Sequence, residues 1–302
     1  MKAVAGVILQ SIVLLLVGAF SDAKLAWNST EFLFTFGDSY TTDGFNISAG
    51  VNSPVPGFTS SNGQNWVQFL GGTYNITNTK VFNLASGGAT IDAALVTPFE
   101  PTVLSIVDQV AQFDQFLAPK PEGAQWSGNN SLFAIWIGIN DVGNSFAWTN
   151  VTQSGFHQVL MARLFKQIED LYQYGARNFL FLTVPPTNRA PLIIEQGEPS
   201  ITLITSALAD YNAQLAENVQ AFNANHTDAN ANVFDTVPIF NTLLDNADTF
   251  GFVNVTGFCD AYQNGTPQLT TQIPPCAPVS SYFTQHSGAF NLDVSQYLRI
   301  GS

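Results

Sequence analysis

The sequence predicts an α/β protein built as a three-layer α/β/α sandwich, with helices on both faces of a parallel sheet. Short apolar, β-rich runs alternate along the chain with longer segments whose apolar residues recur every three or four positions. Of the 302 residues, 46% are hydrophobic and 10% are charged, which supplies enough apolar material for a large core. No linker, repeat or low-complexity tract divides the chain, so we expect one domain over residues 24–302.

Five short, mostly apolar runs predict the strands of the sheet. Runs of this length and composition are typical of parallel strands that are buried on both faces. In chain order they are Glu31–Phe36, Lys80–Leu84, Ser131–Ile137, Arg177–Val184 and Asn232–Val237. Ligands of open parallel sheets bind beyond the carboxyl ends of the strands, so the segments that follow these runs are expected to form the site.

Four longer segments predict helices, because their apolar residues form a stripe at helical spacing. They are Asn65–Leu70, Thr102–Leu117, Ser154–Tyr174 and Ser200–Phe222. The segment Asn246–Pro278 is the one long stretch without a regular pattern.

The first residues are expected to be a secretory signal peptide over residues 1–23. Lys2 supplies the positive charge, Ala3–Val17 is the apolar run, and small residues follow near the expected cleavage site. A membrane anchor is the alternative, but the run is shorter than the roughly 20 residues that a span needs. Eight sequons for N-glycosylation agree with secretion. They begin at Asn28, Asn46, Asn75, Asn129, Asn150, Asn225, Asn254 and Asn264.

The charge of the chain disfavours nucleic acids and anionic membranes as partners. Nine Lys and Arg against 22 Asp and Glu give 9 − 22 = −13, a field that repels phosphate groups. We expect no membrane association after signal cleavage. The two cysteines, Cys259 and Cys276, are expected to form a disulfide in an oxidising compartment, with two free thiols as the alternative. Neither has a second ligand at zinc-binding spacing.

Three of the segments after predicted strands carry residues that are suited to acyl transfer. Ser39 follows the first strand, and it is either a nucleophile or a helix N-cap. The paired glycines Gly87 and Gly88 follow the second strand and allow backbone N–H groups to approach a bound oxygen. Asn140 follows the third strand, where its amide either donates to the same oxygen or forms an Asx-turn. A serine and two donors at neighbouring strand ends form a candidate site for acyl transfer.

The three segments read FGDSYTTDGFN, NLASGGATID and WIGINDVGNS, and they resemble the blocks of the SGNH, or GDSL-type, hydrolase superfamily. The context around Trp66 looks most like the fungal secreted acetylesterases of carbohydrate esterase family sixteen. The resemblance covers roughly residues 31–283. It implies a five-stranded flavodoxin-like sheet and an esterase that removes acetyl groups from plant-derived carbohydrates, with a small-molecule or oligosaccharide ester as its partner. No metal-ligand cluster and no phosphate-binding glycine motif is present in the sequence, so we expect no metal or cofactor.

The resemblance also implies roles for individual residues. Ser39 is the nucleophile and an oxyanion donor, Gly88 gives a backbone N–H, and Asn140 gives its side-chain amide. Gly88 is preferred to Gly87 because it directly precedes Ala89 and Thr90. Asp38 and Asp141 are expected to brace the loops.

The chain departs from the family at the general base. The family supplies the base from an Asp-x-x-His block near the carboxyl end, or from a variant that ends in His-Pro. Here His286 lies at about that place, but Phe283 stands three positions before it and Ser287 follows it. His157 is expected to be a packed helix residue, and His226 is expected to be exposed within its sequon. Loss of a base costs on the order of 10⁴ to 10⁶ in turnover, so we expect this chain to be impaired.

Two alternatives remain open from the sequence. One is a lipase-like esterase that acts on longer acyl chains. The other is a non-catalytic secreted protein that binds carbohydrate by stacking sugar rings on Trp66, Trp126 or Trp148.

Overall fold

The computed structural model describes residues 27–60, 63–75, 78–252, 254–262 and 271–278. The predicted signal peptide and His286 lie outside these ranges. The strands are β1 (Phe32–Gly37), β2 (Lys80–Asn83), β3 (Ser131–Trp136), β4 (Asn178–Leu182) and β5 (Asn230–Phe234). The α-helices are α1 (Trp66–Gln68), α2 (Ile106–Phe116), α3 (Ile139–Ser145), α4 (Gln153–Tyr174), α5 (Pro191–Ile194), α6 (Glu198–Asn225), α7 (Val237–Asp245) and α8 (Ala247–Phe250). A π-helical turn, Phe69–Thr73, follows α1 directly.

The five strands form one parallel sheet in the order β2-β1-β3-β4-β5. This is the flavodoxin-like order, in which the chain reverses its direction of travel across the sheet next to β1. The predicted α/β class and the five-stranded parallel sheet are confirmed. Because all strands run the same way, the residues that follow β1, β2 and β3 meet at one edge of the sheet.

One face of the sheet is covered by α2, α4 and α6. A row of phenylalanines crosses four strands on this face, in the order Phe82, Phe34, Phe133 and Phe179, with ring centroids 5.4, 4.8 and 5.7 Å apart in turn. Phe113 of α2 meets Phe34 edge-on at 5.2 Å. Paired aromatic rings on neighbouring strands stabilise a sheet beyond the area they bury. Much of the phenylalanine content of the chain is therefore core.

The opposite face buries Leu33, Leu132 and Leu180, which alternate with the phenylalanines along their strands. Helix α7 contributes Phe240 and Leu243 to this second cluster. Two packed faces make the predicted three layers.

Several element boundaries differ from the prediction. The fifth strand was expected over Asn232–Val237, but β5 ends at Phe234 and α7 begins at Val237, with Pro238 in its first turn. The segment after β3 was expected to be a loop, but it forms helix α3. The first predicted helix is a single short turn that continues as a π-helical turn, and α6 is longer than expected at both ends.

The carboxyl-terminal segment is closed by the predicted disulfide. Cys259 and Cys276 are bonded, with their Cα atoms 6.1 Å apart. The Tyr262 hydroxyl, inside the loop that the disulfide closes, donates to the carbonyl of Ala277, the residue after Cys276, at 2.6 Å. Among the helices of the described ranges, none combines the length and the apolar character that crossing a membrane requires.

Candidate active site

Ser39 lies in a tight turn directly after β1. The amides of Thr41 and Thr42 donate to the Asp38 carbonyl at 3.1 and 3.0 Å, and the Tyr40 amide donates to Asp38 Oδ1 at 3.0 Å. No helix starts at this turn, so the alternative that Ser39 caps a helix is wrong. The turn leaves Ser39 half-buried at the carboxyl end of β1.

Gln109 of α2 fixes the end of β1. Its side chain accepts from Gly37 N at 2.9 Å and donates to Gly37 O at 2.8 Å and to Leu104 O at 2.9 Å. Gly37 is required there, since a Cβ would lie 2.2 Å from Trp136 O on the neighbouring strand. The sequence analysis missed Gln109. Its signal is a polar side chain within the apolar pattern of the predicted helix Thr102–Leu117.

The glycine-containing segment after β2 is bonded to the first turn. Ser86 N donates to Gly37 O at 3.1 Å, and Ala89 N donates to Ser86 O at 3.0 Å. Gly88 has a φ of 83°, in the left-handed region that favours glycine. A Cβ on Gly88 would lie 2.3 Å from Phe99 Cε1, so the Phe99 ring packs directly against this glycine.

Asn140 and Asp141 lie in the first turn of α3 and hold the segment after β2 from the other side. Asn140 Nδ2 donates to Ala89 O at 2.8 Å, which is not the Asx-turn considered from the sequence. Ile91 N donates to both carboxylate oxygens of Asp141, at 3.0 and 3.2 Å. The bond to Ala89 fixes the plane of the Asn140 amide and leaves its second N–H for another acceptor.

The structure therefore brings together the three residues that the sequence analysis selected. Ser39, Gly88 and Asn140 follow the neighbouring strands β1, β2 and β3 at the same sheet edge, and hydrogen bonds connect their segments. Within the described ranges, Ser39 N and Gly88 N have no hydrogen-bond acceptor. Gly87 N also has none there, so the alternative between the two glycines stays open. Unpaired donors around a serine can bind an oxyanion.

Two buried carboxyl groups lie beneath these segments. Burial raises the pKa of Asp38 to about 7, and the nearby charge of Asp141 adds to the rise, while the bond from Tyr40 N opposes it. Burial likewise raises the pKa of Asp141 to about 7, against the bond from Ile91 N and with a further rise from the charge of Asp92. Both side chains brace their loops, as expected from the sequence.

Tyr211 of α6 packs under the same edge. It is fully buried, and its hydroxyl donates to Ile137 O at 3.2 Å. Gly138 makes room for this ring, since a Cβ there would lie 2.3 Å from the Tyr211 hydroxyl oxygen. Burial, with the charges of Asp141 and Asp38, holds the pKa of Tyr211 well above its usual value. Tyr211 was not identified from the sequence, because its contact depends on how α6 packs.

Neither described histidine contacts Ser39. His157 is fully buried, its Nδ1 lies 2.6 Å from Asp210 Oδ2, and its ring meets Tyr211 edge-on. This agrees with the expected packed residue of a helix. His226 lies at the opposite, amino edge of the sheet, just before β5, where Nε2 is 3.0 Å from Glu169 Oε2. The expectation that His226 is exposed is wrong, since its side chain is half-buried.

The tryptophans differ in whether a sugar could reach them. Trp126 is fully buried and donates from Nε1 to Leu117 O at 2.7 Å, so its suggested role in stacking is wrong. Trp66 donates from Nε1 to Thr41 Oγ1 at 3.3 Å, and Trp148 packs its ring on Phe156.

In the part of the chain that the structure describes, no group of three His, Cys, Asp or Glu residues could hold a metal ion.

The chain also matches a known protein family. Residues 33–290 match the family of GDSL-like lipases and acylhydrolases. The match runs beyond Phe283, where the sequence analysis ends the resemblance, and it includes His286.

Among similar proteins, an acetylesterase from Thermothelomyces thermophilus is 41% identical over 237 residues, covering 76% of this chain and 78% of that protein. A GDSL esterase/lipase from Arabidopsis thaliana is 24% identical over 246 residues, covering 77% and 66%. An acetylesterase from Hypocrea jecorina is 26% identical over 184 residues, covering 55% and 51%. Among solved structures, a lipolytic G-D-S-L family protein from Veillonella parvula gives a TM-score of 0.40 at 17% identity, covering 75% of this chain and 86% of that one.

Proposed function

The chain belongs to the family of GDSL-like lipases and acylhydrolases and is a carboxylic ester hydrolase, and on that premise we propose that it is a secreted acetylesterase of plant-derived carbohydrates. The observation that carries the proposal is that Ser39 N, Gly88 N and the second N–H of Asn140 Nδ2, at three neighbouring strand ends, have no acceptor within the described ranges. The 41% identity to a fungal acetylesterase supports the acetyl group as the acyl part.

Ser39 is the proposed nucleophile. Its Oγ forms a bond to the ester carbonyl carbon, its proton passes to a base, and the carbonyl oxygen takes up the negative charge. Collapse of this intermediate breaks the bond to the alcohol, which leaves with the proton from the base, and the acetyl group stays on Ser39. Water then repeats the two steps and releases acetate.

The donors act on the charge that develops during these steps. Ser39 N, Gly88 N and Asn140 Nδ2 are proposed to bind the oxyanion, and each such donor is worth roughly 3 to 4 kcal/mol in known oxyanion holes. Gln109, Asp38 and Asp141 do not touch the substrate in this scheme. They hold the donors in place before the reaction, so little reorganisation is needed when charge appears.

His286 is the candidate base, because His157 and His226 are engaged elsewhere. The family match over residues 33–290 includes it and supports this choice. The acid that the family places three positions earlier is replaced here by Phe283. We propose that turnover is lower than in relatives that keep the acid.

The test compares the wild-type protein with Ser39→Ala in the hydrolysis of 4-nitrophenyl acetate. We expect the wild-type rate to exceed that of the variant by about 10³-fold or more even with a weakened base. Ser200→Ala, a half-buried serine in the first turn of α6, is the matched control and should keep the wild-type rate. Equal rates for wild type and Ser39→Ala would overturn the proposal.

Two further measurements refine it. His286→Ala should lose most of the remaining activity, while His226→Ala should keep it. A series of 4-nitrophenyl esters from acetate to decanoate should show falling kcat/KM with chain length. A rise with chain length would indicate the lipase-like esterase instead.

A further inference from the structure

Two phenylalanines stand apart from the aromatic core. Phe58 and Phe99 are 76% and 72% exposed, the highest values among the exposed large apolar side chains of the described residues. Single exposed apolar side chains are common on protein surfaces, but an exposed apolar surface next to a candidate site indicates a binding role.

Each ring packs against one of the two loops that carry the candidate site. The Phe99 ring edge meets Gly88, as described above. A Cβ on Gly44, in the loop after Ser39, would lie 3.3 Å from Phe58 Cδ2. The two loops touch each other, since a Cβ on Gly87 would lie 3.9 Å from Thr42 Cγ2. The exposed rings therefore lie against two loops that touch each other, one of which carries Ser39.

Both rings are carried by segments whose backbone is anchored by hydrogen bonds. The strap that carries Phe99 is anchored on both sides to the segment after β2: Thr90 Oγ1 donates to Val96 O at 2.9 Å, and Leu104 N donates to Ser86 Oγ at 3.1 Å. Phe58 follows Gly57, whose amide donates to Asp43 O at 3.1 Å. Because the backbone is anchored, only the side-chain torsions of each ring need to be ordered when a ligand covers it.

The position of the rings selects the part of the ester that they contact. An acetyl group ends one carbon beyond the carbonyl, so it stays beside Ser39 and cannot cover rings that face the solvent. The alcohol part of the ester leads away from the reacting carbon toward the solvent. The alcohol part must therefore offer an apolar face to the rings. The net charge of −13 on the protein disfavours anionic sugars.

We infer that Phe58 and Phe99 form an aromatic platform that binds a neutral pyranose ring of the alcohol part, through the apolar C–H face of the sugar. The inference rests on the proposed ester hydrolysis at Ser39 and names the recognition surface for its substrate. Stacking on a sugar ring, which the sequence suggests for tryptophans, is assigned here to phenylalanines. Trp126 cannot take that role because it lies in the core. Phe58 and Phe99 are positioning residues for the substrate, and neither takes part in the bond changes.

The test is a change in substrate preference. Wild type, Phe58→Ala, Phe99→Ala and Phe99→Trp are assayed on methyl 2-O-acetyl-β-D-xylopyranoside and on methyl acetate, which has no ring to stack. Each alanine variant should lower the ratio of the two kcat/KM values about two- to tenfold, the range expected for loss of one aromatic contact. Phe99→Trp should restore the ratio, because it keeps a ring. Leu203→Ala, at another exposed large apolar side chain, is the matched control and should leave both kcat/KM values unchanged.

A binding measurement separates this inference from the proposed function. In the Ser39→Ala background, the acetylated xyloside is titrated against the protein by saturation-transfer NMR, with and without Phe99→Ala. Weaker binding in the double variant supports the platform even if no Ser39-dependent hydrolysis is found. Ser39-dependent hydrolysis with an unchanged substrate ratio in both alanine variants would overturn the platform and leave the esterase intact. A larger loss of kcat/KM on methyl decanoate than on the xyloside would overturn the platform and assign the rings to an acyl chain. Dissociation of a dimer by Phe99→Ala would overturn it and assign the rings to a contact with a second copy.

Discussion

The carboxyl edge of the sheet has an open half at β1, β2 and β3 and a closed half at β4 and β5. The two halves carry similar polar residues but differ in whether the hydrogen-bonding groups at the strand ends are paired. At β1, β2 and β3, the backbone amides of Ser39 and Gly88 and one N–H of Asn140 have no acceptor within the described ranges. At β4 and β5, the chain pairs its strand-end groups. Asn212 accepts from Val184 N at 2.9 Å and donates to Val184 O at 2.9 Å.

The closed half continues across β5. Thr183 Oγ1 donates to Asp235 Oδ1 at 2.9 Å and accepts from Thr236 N at 2.8 Å, while Thr236 Oγ1 donates to Thr183 O at 2.9 Å. Side chains here saturate the polar groups that a strand end leaves behind, as buried polar groups require. The end of a parallel strand is therefore not a candidate site by default. A candidate site needs strand-end loops that are held by buried side chains and that keep N–H groups without an acceptor.

Asn140 and Asn212 give the sharpest form of this comparison. Asn140→Ala should lower kcat for 4-nitrophenyl acetate by about 10² to 10³-fold, because the proposed oxyanion donor is lost. The effect on KM should be small, since the charge that the amide binds appears only in the transition state. Steady-state kinetics on a variant with an unchanged circular dichroism spectrum checks this. A rise in KM with unchanged kcat would assign Asn140 to substrate binding instead.

The buried carboxyl groups of Asp38 and Asp141, which hold the loops of the open half, predict that the free energy of unfolding depends on pH. The pKa values of Asp38 and Asp141 are raised from 3.8 to about 7, so the folded protein binds more protons than the unfolded chain between these values. Their contribution to the free energy of unfolding is therefore fully present below pH 3.8 and is lost as the pH rises through about 7.

Urea unfolding at constant ionic strength measures this dependence. Asp141→Asn keeps an acceptor for Ile91 N and removes the titration, so it should flatten the fall in stability between pH 4 and 7. Asp245→Asn, at an exposed acid that pairs with Arg189, is the control and should keep the wild-type slope. A wild-type slope in Asp141→Asn would contradict the assignment.

The closed half should respond in stability and not in turnover. Asn212→Ala leaves both backbone polar groups of buried Val184 without their partner, which should lower the free energy of unfolding by about 1 to 3 kcal/mol. Its kcat per folded molecule should stay near that of wild type. Loss of kcat by 10-fold or more in Asn212→Ala would show that the two halves are not functionally distinct.

What the sequence could predict follows the range of the interactions. The strands β1 to β4 and the positions of Ser39, Gly88 and Asn140 after β1, β2 and β3 are predictable, because apolar runs and short motifs are local signals. The fifth strand was misplaced because β5 is an edge strand of which only Ala231 and Phe234 are buried, so it lacks a continuous apolar run.

The supporting residues could not be predicted for a different reason. Gln109 binds Gly37 across 72 positions of sequence, and Tyr211 reaches Ile137 across 74. Such contacts depend on how two helices pack on the sheet. The exposed Phe58 and Phe99 could not be told from core phenylalanines, because exposure is a property of the packed chain.

The central claim is that the unpaired donors surround a nucleophilic Ser39 in the folded protein. The most direct measurement treats the native protein with diethyl 4-nitrophenyl phosphate, whose phosphoryl oxygen mimics the charged intermediate, and locates the adduct by mass spectrometry of its peptides. A single diethylphosphoryl adduct on Ser39, formed more slowly in Asn140→Ala and absent from urea-unfolded protein, is the predicted result. An adduct at another residue, or no adduct on Ser39 in the folded protein, would contradict the claim.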